Sequence, residues 1–108
     1  MLFRSDYRVP ILDVSFTGYG IHSALLDGGS GVNILPESIC LKLGITTYDE
    51  APFQVKMADQ RCIQPLGIVR GRKLEIAGFS FDVNFVVLRL EETEKHYPML
   101  LEIGRAHV

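Results

Sequence analysis

The stretch Leu25–Pro36, "LLDGGSGVNILP", sets one acid, Asp27, in a glycine-rich kink between two apolar runs. Three local readings compete. Asp-Gly between apolar runs is a strong hairpin signal, because both residues tolerate positive φ. A two-residue turn needs one glycine, however, and this stretch spends Gly28, Gly29 and Gly31, as a tightly bent or closely approached backbone would. A phosphate-binding loop would open directly into the helix whose N-terminus holds the anion. Here "VNIL" (Val32–Leu35) intervenes as a strand and no Lys follows the glycines, which counts against that reading. The third reading, the seat of a catalytic carboxylate, needs support from the rest of the chain.

Working outward, strand patterns dominate. "VPILDVSF" (Val9–Phe16) and "IHSALL" (Ile21–Leu26) flank the breaker "TGYG" and predict a hairpin. After the kink and "VNIL", the run "PESICLKLG" predicts a short helix. Pro36 suits its first helical position, Glu37 favours the positive end of the dipole, and Gly44 ends it. Ile39, Cys40 and Leu43 share one face, and two turns are too few to stand without packing. "FQVKM" and "RCIQPLGIV" flank a polar tip, "ADQ" (Ala58–Gln60), and predict a protruding hairpin. "RKLEI" and "FSFDVNFVV" are joined by "AG"; Phe79, Phe81, Val83, Phe85 and Val87 fall on one face in the clearest alternation of the chain. "RLEETEKHYP" is a charged connection, and "MLL" (Met99–Leu101) predicts one more buried strand. Many short strands with one small helix point to a closed or folded-over all-β architecture.

The bulk properties narrow the function classes. A chain of 108 residues makes one domain with a modest core. A net charge of −2 offers no electrostatic case for nucleic acid or an anionic membrane. Apolar runs such as "NFVVL" are far too short to span a bilayer, and Arg4, Asp6 and Arg8 interrupt what a secretory signal would need. A cytoplasmic setting is expected, with Cys40 and Cys62 as free thiols and no metal site or cofactor. His22, His96 and His107 show no catalytic spacing, and no Cys-His or Ser-His arrangement supports nucleophilic catalysis. "GGSGV" lacks the nucleophile elbow leading straight into a helix, so Ser30 is better placed to tune Asp27 by a hydrogen bond.

The run "ALLDGGSGVNILPESICLKLGI" resembles the active-site segment of retroviral-type aspartic proteases, especially those encoded by long-terminal-repeat retrotransposons. That family carries Asp-Thr/Ser-Gly-Ala/Ser after an apolar strand, then a second apolar strand and a short element ending in Leu-Gly. Asp27 matches the catalytic acid, Gly29 the motif glycine, Ser30 the small fourth residue, and Leu43 and Gly44 the end of the element. "VKMADQRCIQPLGIV" is similar to the family's flap hairpin, "LEIAGFSFDVNFVV" to the hairpin after it, and "YPMLL" to the approach to its second apolar signature. The likeness runs in consistent order from Val9 to Leu101.

The resemblance implies a retropepsin-like acid protease fold: a small closed barrel-like half with one short helix and a flap hairpin. It implies an aspartic endopeptidase in which two carboxylates share one proton, the ionised one activating water and the protonated one polarising the peptide carbonyl. The chain holds one such motif, so the pair would come from a homodimer contributing Asp27 twice. Gly28, Gly29 and Ser30 would complete the active-site loop, and Met57, Ala58, Asp59 and Gln60 would close over a polypeptide substrate, the junctions of a retrotransposon polyprotein. Residues 1–8 are a lead-in and 9–101 the protease domain. Position 28 departs from the pattern: the family's hydroxyl locks the two loops across the dimer axis, and Gly28 has none. The alternative is therefore an inactive relic of the same fold, acting as a binding or dimerisation module. After "YPMLL" the pattern expects Gly-Arg, whereas the chain reads "EIGRAHV". "IGRAHV" resembles a translated sequencing-adapter frame, so residues 102–108 are expected to be a non-native tail.

Overall fold

The computed structural model describes residues 11–26, 32–56, 60–89 and 99–101. Two long hairpins supply most of its sheet. Strands β1 (Ile11–Phe16) and β2 (Tyr19–Leu26) turn through Thr17 and Gly18, at φ 53° and 91°. Strands β6 (Gly67–Ile76) and β7 (Phe79–Leu88) turn through Ala77 and Gly78, at φ 51° and 86°. Two successive positive φ values match the twist of the flanking strands, which is why two-residue connections suffice.

Between the hairpins lie β3 (Ile34–Pro36), helix α1 (Glu37–Lys42), β4 (Val55–Lys56) and β5 (Cys62–Ile63); β8 (Leu100–Leu101) comes last. Six strands close into a barrel in the order β1-β2-β8-β3-β7-β6, sealed by antiparallel pairing of β1 with β6 (Phe16 opposite Leu74). Strand β8 is inserted between β2, to which it runs parallel, and β3, to which it runs antiparallel. Strand β3 in turn lies parallel to β7, Ile34 opposite Val86.

Alternation sorts the side chains of these strands into two layers. Phe16, Leu35, Phe85, Val87, Met99 and Leu101 point into the barrel, each with essentially no exposure. Phe16 and Phe85 meet edge to face, ring centroids 5.0 Å apart, a geometry worth about 1 kcal/mol beyond area burial. Ile34, Val86, Leu88 and Leu100 point the other way and form a second cluster with Val55, so β3, β7 and β8 are buried on both faces. That double burial explains why β3, β8 and the end of β7 read as unbroken apolar runs. The helix plugs the barrel through Cys40, with Ile39, Leu43 and Ile45 packed around it.

Four local expectations are corrected. Pro36 is the N-cap, extended at φ −65° and ψ 145°, because it is also the last residue of β3. Val32 and Asn33 precede β3 rather than belonging to it. The run "RCIQPLGIV" is split: β5 ends at Ile63 and β6 starts at Gly67, with Pro65 between them denying the ladder a donor. Phe79 starts the predicted alternation but is 70% exposed, because its register position lies beside the turn, beyond the barrel's filled interior. Among the described residues, no helix is long and apolar enough to cross a membrane.

Candidate active site

Asp27 follows directly on Leu26, the last residue of β2, which pairs with Leu101 of β8. The chain resumes at Val32 and enters β3, the other neighbour of β8. Residues 27–31 thus connect two strands that flank a third at the end where β8 finishes. Asp27, Gly28, Gly29 and Ser30 themselves lie outside the described residues, as do Met57, Ala58 and Asp59.

One apolar cluster gathers residues near both segments. Val32 packs on the outer apolar cluster of Ile34, Val86, Leu88 and Leu100, and so do Val55 of β4 and Ile63 of β5. The predicted protruding hairpin is present: β4 and β5 pair antiparallel, Val55 opposite Ile63 and Lys56 opposite Cys62, as a two-stranded sheet of its own. Its tip residue Gln60 is exposed and held at φ 74°, a left-handed backbone that a non-glycine residue adopts at a cost. One apolar layer therefore carries both the first described residue after Asp27 and the foot of the hairpin.

Hydrogen bonds set the register of that layer. The amide of Val86 donates to the Asn33 carbonyl (2.8 Å), and Asn33 Nδ2 donates to the Asn84 carbonyl (3.1 Å). Strand β6 carries a bulge between Val69 and Arg72, and Gly71, at φ 64°, donates its amide to Asn84 Oδ1 (2.8 Å). The bulge puts an extra residue opposite Asn84 and turns Arg70 outward. There Arg70 Nε donates to Asp49 Oδ2 at 3.0 Å.

The helix is tied to the framework at its first turn and closed by its own backbone at its last. Glu37 in its first turn accepts two hydrogen bonds from Arg89, just past β7, at 2.8 and 3.1 Å. That hydrogen bond, with the carboxylate charge behind it, holds the Arg89 guanidinium more firmly protonated than usual. At the other end, Gly44 (φ 76°) donates to the Leu41 carbonyl and Ile45 to the Cys40 carbonyl, a Schellman closure. Burial pushes the Cys40 thiol above its ordinary range, offset in part by the nearby Tyr48 hydroxyl, which donates to the Ile45 carbonyl at 3.4 Å. Burial likewise raises the Tyr48 phenol. Cys62 is exposed, and neither cysteine is in a disulfide. Among the described residues, no three His, Cys, Asp or Glu side chains gather as metal ligands would.

Sequence reasoning passed over Arg70, Asn33 and Asn84. The signal available for Asn84 was a polar residue followed by four apolar ones, "NFVVL", where alternation gives way to burial on both faces.

No protein-family model matches the chain, and no curated protein matches it by sequence. Its three-dimensional arrangement does have counterparts among solved structures. The crystal structure of the retroviral protease-like domain of Ddi1 from Leishmania major superposes over 94% of this chain and 76% of its own, with a TM-score of 0.62. The fold is retropepsin-like. At 11% identity the likeness is one of fold. The retropepsin-like barrel, its short helix and its two long hairpins agree with the architecture that the sequence motifs implied.

Proposed function

We propose that the chain is an aspartic endopeptidase domain that works as a homodimer, each subunit contributing Asp27. The observation that carries the reading is the joint one of sequence and fold. The only Asp-x-Gly motif that follows an apolar strand begins directly after β2, in a retropepsin-like barrel whose next neighbours are β8 and β3. Two carboxylates brought to about 3 Å cannot both ionise comfortably, so the pair keeps one proton and titrates as a unit. The ionised member takes a proton from water as it attacks the peptide carbonyl; the protonated member donates to the carbonyl oxygen. No covalent intermediate forms, and activity belongs at mildly acidic pH.

The β4–β5 hairpin serves as the flap. Its foot is anchored on the outer cluster and its tip, Met57 to Gln60, closes over an extended polypeptide by strand-like hydrogen bonding. The natural substrate is the junctions of a retrotransposon-type polyprotein, processed in the cytoplasm. Gly28 favours a second reading, an inactive domain that binds or dimerises, since no hydroxyl stands at that position to lock two loops together.

The test compares the chain with Asp27→Asn on a mixed peptide library, with sedimentation run in parallel. The endopeptidase reading expects cleavage whose rate rises faster than linearly with protein concentration and disappears in Asp27→Asn. Cleavage unchanged by Asp27→Asn overturns the aspartic mechanism, and dimerisation without cleavage selects the second reading.

A further inference from the structure

A cleft of about 250 Å³ opens beside β3, β6 and β7, lined by Val32, Asn33, Ile68, Arg70, Asn84 and Val86. It is smaller than the roughly 300–1,000 Å³ of sites that take whole small molecules. Its scale is that of one long side chain.

The spare donors of its lining come from Arg70 and Asn84. Asn84 turns Oδ1 to the Gly71 amide at 2.8 Å, and Arg70 commits Nε to Asp49 at 3.0 Å. The hydrogen-bonding groups that these two side chains have left are chiefly N–H donors: the Asn84 amide nitrogen and the two terminal nitrogens of the guanidinium. Val32, Ile68 and Val86 supply apolar walls. A ligand group that satisfies both halves has a methylene stem and an anionic, acceptor-only end. Among protein side chains the longest of that kind is glutamate. Asp49 cancels part of the Arg70 charge and both groups are more than half exposed, so the selectivity is modest.

Val32 is the first described residue after the segment that carries Asp27, which puts the cleft next to where the chain leaves that segment. We propose that the cleft is a side-chain subsite of the polypeptide groove that selects a glutamate flanking the scissile bond, with Arg70 and Asn84 as its specificity residues. The assignment rests on the aspartic endopeptidase reading for its place in a cleavage reaction. The binding itself can be measured without cleavage.

The probe is a set of synthetic decapeptides, apolar except for one Glu scanned along the chain, each with a Gln isostere. Binding to the Asp27→Asn chain is followed by amide NMR. The expected result is about fivefold tighter binding of one Glu register over its Gln isostere at low salt, with shifts centred on the amides of Gly71, Asn84 and Val86. Arg70→Gln removes the preference, and Arg70→Glu reverses it in favour of an added peptide that carries Lys in the same register. Lys42→Gln, which deletes the same charge from the helix, leaves it intact. Equal binding of Glu and Gln peptides, shifts elsewhere, or a preference that survives Arg70→Gln overturns the subsite. Should the preference hold while the unsubstituted chain cleaves nothing, the cleft stands and the endopeptidase reading falls. Cleavage indifferent to Glu in every register has the opposite meaning.

Discussion

At the scale of single residues, the backbone decides more than side-chain chemistry does. Gly67 sits where an added Cβ would come within 2.6 Å of the Asp49 carbonyl oxygen and into the Tyr48 side chain. Neither neighbour can yield, because Asp49 and Ile68 exchange hydrogen bonds of 2.9 and 2.8 Å. Gly44, at φ 76°, has open space around it, so a methyl there costs conformational strain alone. Urea denaturation should therefore show Gly67→Ala losing about 3 kcal/mol and Gly44→Ala about 1 kcal/mol; equal losses would mean that the Asp49–Ile68 bridge gives way easily. Thr17 and Ala77 are the reverse case, non-glycine residues held at φ 53° and 51° in two-residue turns. Asn tolerates that region better, and Thr17→Asn or Ala77→Asn should each raise stability by about 0.5 kcal/mol in the same assay. The two thiols differ by burial. Cys62 should react with iodoacetamide in the native chain while Cys40 waits for unfolding. The raised Cys40 value has a definite sign for stability. From about pH 9 upward the unfolded thiol ionises before the native one, so stability is complete below that pH and declines above it. Tyr48, raised from about pH 10, adds to the same decline. Thermal melts through the alkaline range check this, and Cys40→Ala should flatten the first part of the slope.

At the scale of elements, short pieces survive by what they lie against. Two paired residues on each side do not hold a hairpin in water; β4 and β5 are kept by Val55 and Ile63 seated on the outer cluster. Val55→Ser should release the hairpin while sparing the barrel. Hydrogen exchange would then accelerate at Lys56 and Cys62 and stay slow at Leu74 and Phe81, whereas uniform acceleration would show that the hairpin is part of the barrel's own cooperative unit. Legibility divides along the same line. The β6–β7 connection, the helix with its Gly44 stop, and the polar-tipped hairpin were readable because each is written in local chemistry. The bulge at Arg70–Gly71 was not, since it depends on Asn84 across the strand pair to accept the Gly71 amide. Phe79 misled for a related reason: alternation reports a face, and only the length of the barrel decides where that face stops being covered.

At the scale of the whole molecule, the two-residue strand β8 closes the barrel between β2 and β3. Leu101 points inward with no exposure, among residues from most of the other strands. Leu101→Ala should cost about 3 kcal/mol and lower the cooperativity of thermal unfolding, a large effect for a strand of two residues. A loss under about 1 kcal/mol would mean that β8 adds little to the closed form.

By itself the sequence determined the strand-rich class, the order of elements apart from where β5 ends and β6 begins, the glycine stop of the helix and the candidacy of Asp27, because periodicity, turn chemistry and a motif are properties of neighbours along the chain. The tertiary structure decided the parallel insertion of β8, the outer apolar layer that joins Val32 to the hairpin foot, and the donor-lined cleft of Arg70 and Asn84. Those depend on residues dozens of positions apart meeting when the barrel closes, and no local pattern encodes which strand will lie beside which.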